Sequence, residues 1–216
     1  MNKAWFFGDS FTSGFGAENT SEYYKKFGPG NTFSTLLSSY FNMQEVNLGI
    51  PGCSNYTILS NLLNNIKYIH PGDLVIVGNT SPLRSLVPNK SKTELIDQKL
   101  FDTTPYPTSL AYGNDKLETI LREYCIEFYK DNIYLWNTFF NRLFLSSLEI
   151  AEKLGAKTIL WNYSIWSEEE STGIKFENIN QHTNGIIYDL HWSFKGHYDV
   201  YEWLKNGILN NKKFLS

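Results

Sequence analysis

The chain has 216 residues, 42% hydrophobic and 19% charged, a composition that suits one globular domain with its own core and excludes a disordered segment. A net charge of −3 and a pI of 5.8 argue against nonspecific nucleic-acid binding, which needs a basic field to release counterions. No segment approaches the ~18 apolar residues of a membrane span, and the apolar run after Met1-Asn2-Lys3 is too short for a signal peptide, so a cytoplasmic protein starting near Met1 is expected.

In chain order, Ala4 to Phe7 reads as a strand buried on both faces, because its hydrophobicity is nearly continuous. Gly8-Asp9-Ser10 follows at its exit, and Gly14 to Asn31 reads as a polar, Tyr-containing loop. Glu45-Val46-Asn47-Leu48 is a weaker strand, polar enough for a place near an edge. Ile58, Leu59, Leu62, Leu63, Ile66 and Ile69 recur at helical spacing until Pro71-Gly72 ends the segment. Leu74 to Val77 is a further buried strand, leading into Gly78-Asn79-Thr80. Pro82 to Gly113 is a long excursion with three prolines after Pro82 itself, Pro88, Pro105 and Pro107, and a short helical piece around Glu94 to Leu100. Ile133, Trp136, Phe140, Leu143, Phe144, Leu148 and Ala151 mark an amphipathic helix stopped by Gly155. Thr158 to Trp161 is the last strand, and a final helix is expected over His197 to Leu209. Strands alternating with helices imply an α/β fold: a flavodoxin-like three-layer α/β/α sandwich on a mostly parallel sheet of about five strands. No repeat or linker divides the chain, so a single domain over 1–216 is expected, with a loop insertion at about 82–113.

The chemistry-bearing residues fall at the strand exits, where open α/β sheets hold ligands. Ser10 follows the first strand, and Asp189-Leu190-His191-Trp192 stands near the other end of the chain. A serine hydroxyl is a weak nucleophile until a histidine takes its proton, and that histidine needs a group to hold its tautomer. Acyl transfer also needs preorganised donors for the oxyanion, each worth about 2.7–4 kcal/mol in known cases. Asn47-Leu48-Gly49-Ile50-Pro51-Gly52 and Val77-Gly78-Asn79-Thr80 are the loops that offer such donors.

These blocks resemble the SGNH or GDSL hydrolases. The resemblance rests on Gly8-Asp9-Ser10-Phe11, on Asn47, Gly49 and Gly52 in N-x-G-x-x-G spacing, on Gly78-Asn79, and on Asp189 and His191 followed by Gly196-His197. It implies Ser10 as nucleophile, His191 as general base and acid, and Asp189 as the group that orients His191. It further implies an oxyanion hole made by the backbone N–H of Ser10, the backbone N–H of Gly52 and the side-chain amide of Asn79, with Gly49 as the other candidate for the glycine. The activity implied is hydrolysis of a short acyl ester, acetyl above all, on a carbohydrate, with no metal or organic cofactor.

The pattern departs from the family's in two places. Its acid usually stands three residues before the histidine, where this chain has Tyr188, and Asp189 stands two before. The resulting Asp-x-His-Trp is similar to a branch associated with polysaccharide O-acetylation, so an O-acyltransferase stays open, as does a catalytically silent carbohydrate-binding module. Thr80 replaces the Asp that usually follows the third-block Asn.

Among the remaining residues, Asp9, Gly49, Arg84 and Trp192 are candidates for substrate contact, and Trp166 for a second aromatic wall. An aromatic content of 16%, including 14 Tyr and 6 Trp, agrees with a sugar ligand. His197 is expected to pack or cap the last helix, while His70, His182 and the Glu168-Glu169-Glu170 run are expected at the surface. Cys53 and Cys125 are expected as reduced thiols. The Asn-, Tyr- and Phe-rich composition is one associated with phage or AT-rich bacterial genomes.

Overall fold

Side chains alternate across a strand, and that alternation sets the layers of this molecule. In the computed structural model, which describes residues 1–14, 32–80, 86–88, 101–103, 133–162, 192 and 194–210, the strands are β1 (Lys3–Phe7), β2 (Gln44–Asn47), β3 (Leu74–Asn79), β4 (Leu86–Pro88), β5 (Phe101–Thr103) and β6 (Lys157–Asn162). The helices are α1 (Ser10–Ser13), α2 (Phe33–Tyr40), α3 (Asn55–Asn65), α4 (Ile133–Lys153) and α5 (Phe194–Asn210). A 3-10 turn, Ile66–Tyr68, extends α3.

Among the described residues four strands form one parallel sheet in the order β2-β1-β3-β6, the mostly parallel α/β arrangement expected. β2 takes the end position that its polarity led one to expect. The register pairs Phe7 with Val77 and Asn79 with Asn162, so the strands end nearly level. β4 and β5 pair antiparallel, apart from that sheet. They are the described part of the 82–113 excursion, and the helical piece expected around 94–100 lies outside the described residues.

On one face Ala4, Phe6, Leu74, Ile76, Ile159 and Trp161 pack against Phe33 and Leu37 of α2 and Val200, Leu204 and Ile208 of α5. On the other, Trp5, Phe7, Val75, Val77 and Leu160 pack against Ile58 and Leu62 of α3 and Phe140, Phe144 and Leu148 of α4. Each buried Val, Leu, Ile or Phe among them contributes about 1.5–3 kcal/mol. Helices thus cover both faces, and the central strands read as continuous apolar runs for that reason. α2, between β1 and β2, lies on one face; α3, between β2 and β3, lies on the other. The chain therefore changes sides between β1 and β3, the adjacent central strands, and opens a crevice at their carboxyl ends.

Helix ends are set by local chemistry. The Thr32 hydroxyl accepts from Thr35 N, and the Ser54 hydroxyl accepts from Thr57 N, capping α2 and α3. After α4, Gly155 adopts φ +89°, while Ala156 N donates to Ala151 O at 3.1 Å. At the opposite end of the sheet from the crevice, the buried Asp73 carboxylate accepts from Lys3 N at 2.8 Å, Trp5 Nε1 at 2.9 Å and His70 N at 3.1 Å. Those bonds satisfy a charge that would be costly to bury alone.

Candidate active site

Ser10 is the first residue of α1, directly beyond β1, and it is buried. Asp9 caps that turn: its Oδ1 accepts from Phe11 N at 3.0 Å. Asp9 Oδ2 accepts from the Thr80 hydroxyl at 2.7 Å, which ties the serine loop to the end of β3. Asn55, at the start of α3, holds Thr80 in turn. Its Oδ1 accepts from Thr80 N at 2.8 Å and its Nδ2 donates to Thr80 O at 2.9 Å.

The β2 exit is fastened to the same place. Asn47 Nδ2 donates to Thr12 O at 2.8 Å and to Ser34 Oγ at 2.9 Å, and Asn47 Oδ1 accepts from Gly49 N at 3.0 Å. Ile50 N and Cys53 Sγ both donate to Gly8 O, at 2.9 and 3.4 Å. Three strand exits, those of β1, β2 and β3, are therefore cross-linked through buried and half-buried hydrogen bonds around Ser10. Hydrogen-bonded networks of this kind rigidify a site.

The two glycines of the β2 exit have different duties. A Cβ on Gly49 would stand 2.5 Å from Ser13 N and 2.9 Å from Thr12 C, so the backbones touch there and no side chain fits. Because the Gly49 N–H is bound to Asn47, the structure does not support Gly49 as the oxyanion donor. Gly52 instead has φ +74° with open space where a Cβ would go. Its N–H makes no hydrogen bond with another described residue, which suits a donor reserved for a ligand.

Asn79 ends β3 and is buried. Its Nδ2 donates to Asn141 Oδ1 at 3.0 Å and to Asn137 Oδ1 at 3.3 Å, while its Oδ1 has no partner among the described residues. Asn137 and Asn141 lie one turn apart on the buried side of α4, interleaved with Phe140 and Phe144. They were not read from the sequence, although two Asn at i and i+4 among apolar stripe positions are a visible signal.

Trp192 is corrected by its surroundings. It is 0% exposed, packed between Phe11 (ring centroids 4.6 Å apart), Trp161 (5.8 Å) and Phe33 (6.3 Å), so it is a core residue and not a wall for substrate. It anchors the chain immediately after His191. Asp9 likewise uses both carboxylate oxygens within the protein, leaving a structural task in place of substrate contact. His197 is buried on α5, stacked on Phe33 at 5.9 Å, with Nδ1 accepting from Phe33 N at 3.5 Å. It packs, as expected. His70 is exposed, and Cys53 is a buried thiol.

Asp189, His191, Arg84, Trp166, His182, Cys125 and the Glu168–Glu170 run lie outside the described residues. Among the described residues, no group of His, Cys, Asp or Glu is arranged to hold a metal ion, and no helix is long and apolar enough to cross a membrane.

No protein-family model matches the chain, and no curated protein matches it. Solved structures similar to it include a protein described as lipolytic and of the G-D-S-L family from Desulfitobacterium hafniense DCB-2, at 15% identity and a TM-score of 0.38, over 96% of this chain and 99% of that one. A member of the lipolytic G-D-S-L family from Veillonella parvula DSM 2008 has 11% identity and a TM-score of 0.42, over 98% and 100% of the two chains. An alpha/beta hydrolase enzyme from the metagenome of Lake Arreo, Spain, has 14% identity and a TM-score of 0.38, over 95% and 94%. At these scores the likenesses carry no weight for activity, which has to be read from the chain's own residues.

Proposed function

We propose that this chain is a serine esterase of the SGNH type, acting on a short acyl ester, most naturally an acetyl group on a carbohydrate. The observation that carries this reading is the placement of Ser10. It follows the central strand β1 at the point where the chain changes sides of the sheet, and exits carrying Asn79 and Gly52 stand beside the serine loop.

In the proposed reaction His191 removes the Ser10 proton as Oγ attacks the ester carbonyl carbon. The resulting oxyanion is held by N–H groups of Ser10 and Gly52 and by the Asn79 side-chain amide. Collapse breaks the bond to the alcohol oxygen, which leaves with the proton from His191, and an acyl-Ser10 ester remains. A water molecule, deprotonated by His191, then attacks that ester; the second tetrahedral species releases the carboxylic acid and returns the proton to Ser10. Asp189 keeps the imidazole in the tautomer this requires.

The Asp189-Leu190-His191-Trp192 spacing favours a second reading, in which a sugar hydroxyl replaces water in the second half-reaction. Free acetate and acetylated acceptor, both measured from acetylated sugars with and without an acceptor sugar, separate the two. The esterase reading expects release without the acceptor and little change on adding it. Acetylated acceptor formed with little free acetate favours the transferase, and no acyl turnover under either condition sinks both.

A further inference from the structure

Asn137 and Asn141 occupy positions on α4 where an amphipathic helix ordinarily buries apolar residues, and both are at most 3% exposed. Their side chains converge on one group, the Asn79 carboxamide at the end of β3. As the bonds stand, both are made by the Asn79 Nδ2 end, and the buried Oδ1 end has no partner among the described residues. An oxyanion needs the opposite, a free N–H. A half-turn of the carboxamide about Cβ–Cγ exchanges the two ends within the same volume, and the corresponding torsion of Asn is broad.

After that turn the clamp must donate to Asn79 Oδ1 where it now accepts from Nδ2. An asparagine can do either, since its amide carries both a carbonyl and an NH2 group. An ionised aspartate can only accept, and leucine can do neither.

We propose that Asn137 and Asn141 are positioning residues that decide which end of the Asn79 carboxamide is presented at the strand exits. The clamp lets Asn79 offer its N–H to a developing oxyanion, an inference that rests on the esterase reading above. In this role each acts through Asn79.

The test is kinetic and thermodynamic at once. Asn79→Ala is expected to lower kcat roughly 100- to 1,000-fold, the usual loss for one oxyanion donor. Asn141→Asp, which holds the Nδ2 end inward, is expected to approach that loss with KM within about twofold, as for an interaction made only in the transition state. The neutral Asn141→Leu is expected to lower kcat at least about tenfold, and it covers the case in which a buried aspartate prevents folding. In the Asn79→Ala background either change should add less than about twofold, because the Asn79 carboxamide that Asn141 positions is then gone. Independent losses in kcat, or single variants that turn over like wild type, overturn the proposal.

A second readout needs no turnover. The side-chain NH2 resonances of Asn79, identified by their disappearance in Asn79→Ala, should shift in Asn141→Leu. Resonances that do not move overturn the clamp even if the enzyme is active. Shifted resonances in a protein without esterase activity keep the clamp as a contact, but overturn its catalytic meaning together with the esterase reading.

Discussion

The Thr80 hydroxyl donates to Asp9 Oδ2 at 2.7 Å, joining the residue before the candidate nucleophile to the residue after Asn79. Sequence comparison with the SGNH pattern marks Thr80 as a departure, since an aspartate is usual there. In this chain the departure is physically coherent: an aspartate at 80 would set a second carboxylate against Asp9, whereas threonine supplies the hydrogen that Asp9 accepts.

Thr80→Val keeps the shape and removes that hydrogen. A buried hydrogen bond to a charged group is worth roughly 2 kcal/mol, which for a chain of this size lowers Tm by roughly 4–8 °C. Calorimetry of the variant beside wild type reads this directly. An unchanged Tm would mean that the loop is held by its other bonds alone.

Thr80→Asp should behave differently with pH. Two carboxyls in hydrogen-bond contact push one pKa up, because both cannot ionise cheaply. A carboxyl whose pKa is raised by folding stabilises the native state below its unfolded pKa, and loses that contribution as pH rises through the folded value. The deficit of this variant relative to wild type should therefore be smaller near pH ~4 than near neutrality. Urea midpoints at the two pH values provide the comparison, and a deficit that grows on acidification would contradict the assignment.

The strands were legible because β1, β3 and β6 are buried on both faces, which leaves an unbroken apolar run that no exposed segment would carry. α3 and α4 showed through their spacing, and α5 lies where a last helix is expected, beginning three residues earlier at Phe194. α2 did not, because Phe33–Tyr40 contains three serines, and Ser34 and Ser38 take buried places that apolar residues normally announce. Ser34 is there to receive Asn47, a tertiary reason invisible along the chain. Ser10, Gly52 and Asn79 were found at strand exits, where their residue types suit the chemistry. Asn137 and Asn141 were missed because an apolar stripe draws attention to Trp136, Phe140 and Phe144 and away from the polar residues between them. Trp192 was misread for the opposite reason: adjacency to His191 says nothing about which way an indole points, and this one points into the core.

The paired glycines of the β2 exit allow a contrast. Gly49→Ala forces a Cβ onto the α1 backbone at 2.5 Å, where nothing flexible can yield. Overpacking of this kind costs roughly 1–3 kcal/mol or more, and it should displace the serine turn, so both Tm and turnover are expected to fall. Gly52→Ala meets no atom but must hold φ +74°, a cost of about 1–2 kcal/mol. Gly49→Ala should therefore be the more damaging of the two in thermal melts. The reverse order would mean that α1 moves aside freely.

Asn55→Ala leaves both Thr80 backbone groups without the partners they now have. Each buried group left unpaired costs about 1–3 kcal/mol, so the variant should be among the least stable single changes near the site. Its Cm in urea should drop with m unchanged. A Cm close to wild type would show that solvent reaches Thr80.

The central claim is that Ser10 is a nucleophile, and covalent capture tests it most directly. Wild-type protein incubated with a fluorophosphonate should gain the mass of one phosphonyl group, located on the Ser10 peptide, with none on Ser10→Ala and very little on His191→Ala. Wild type that gains no adduct, or Ser10→Ala that gains one equally well, would contradict the account.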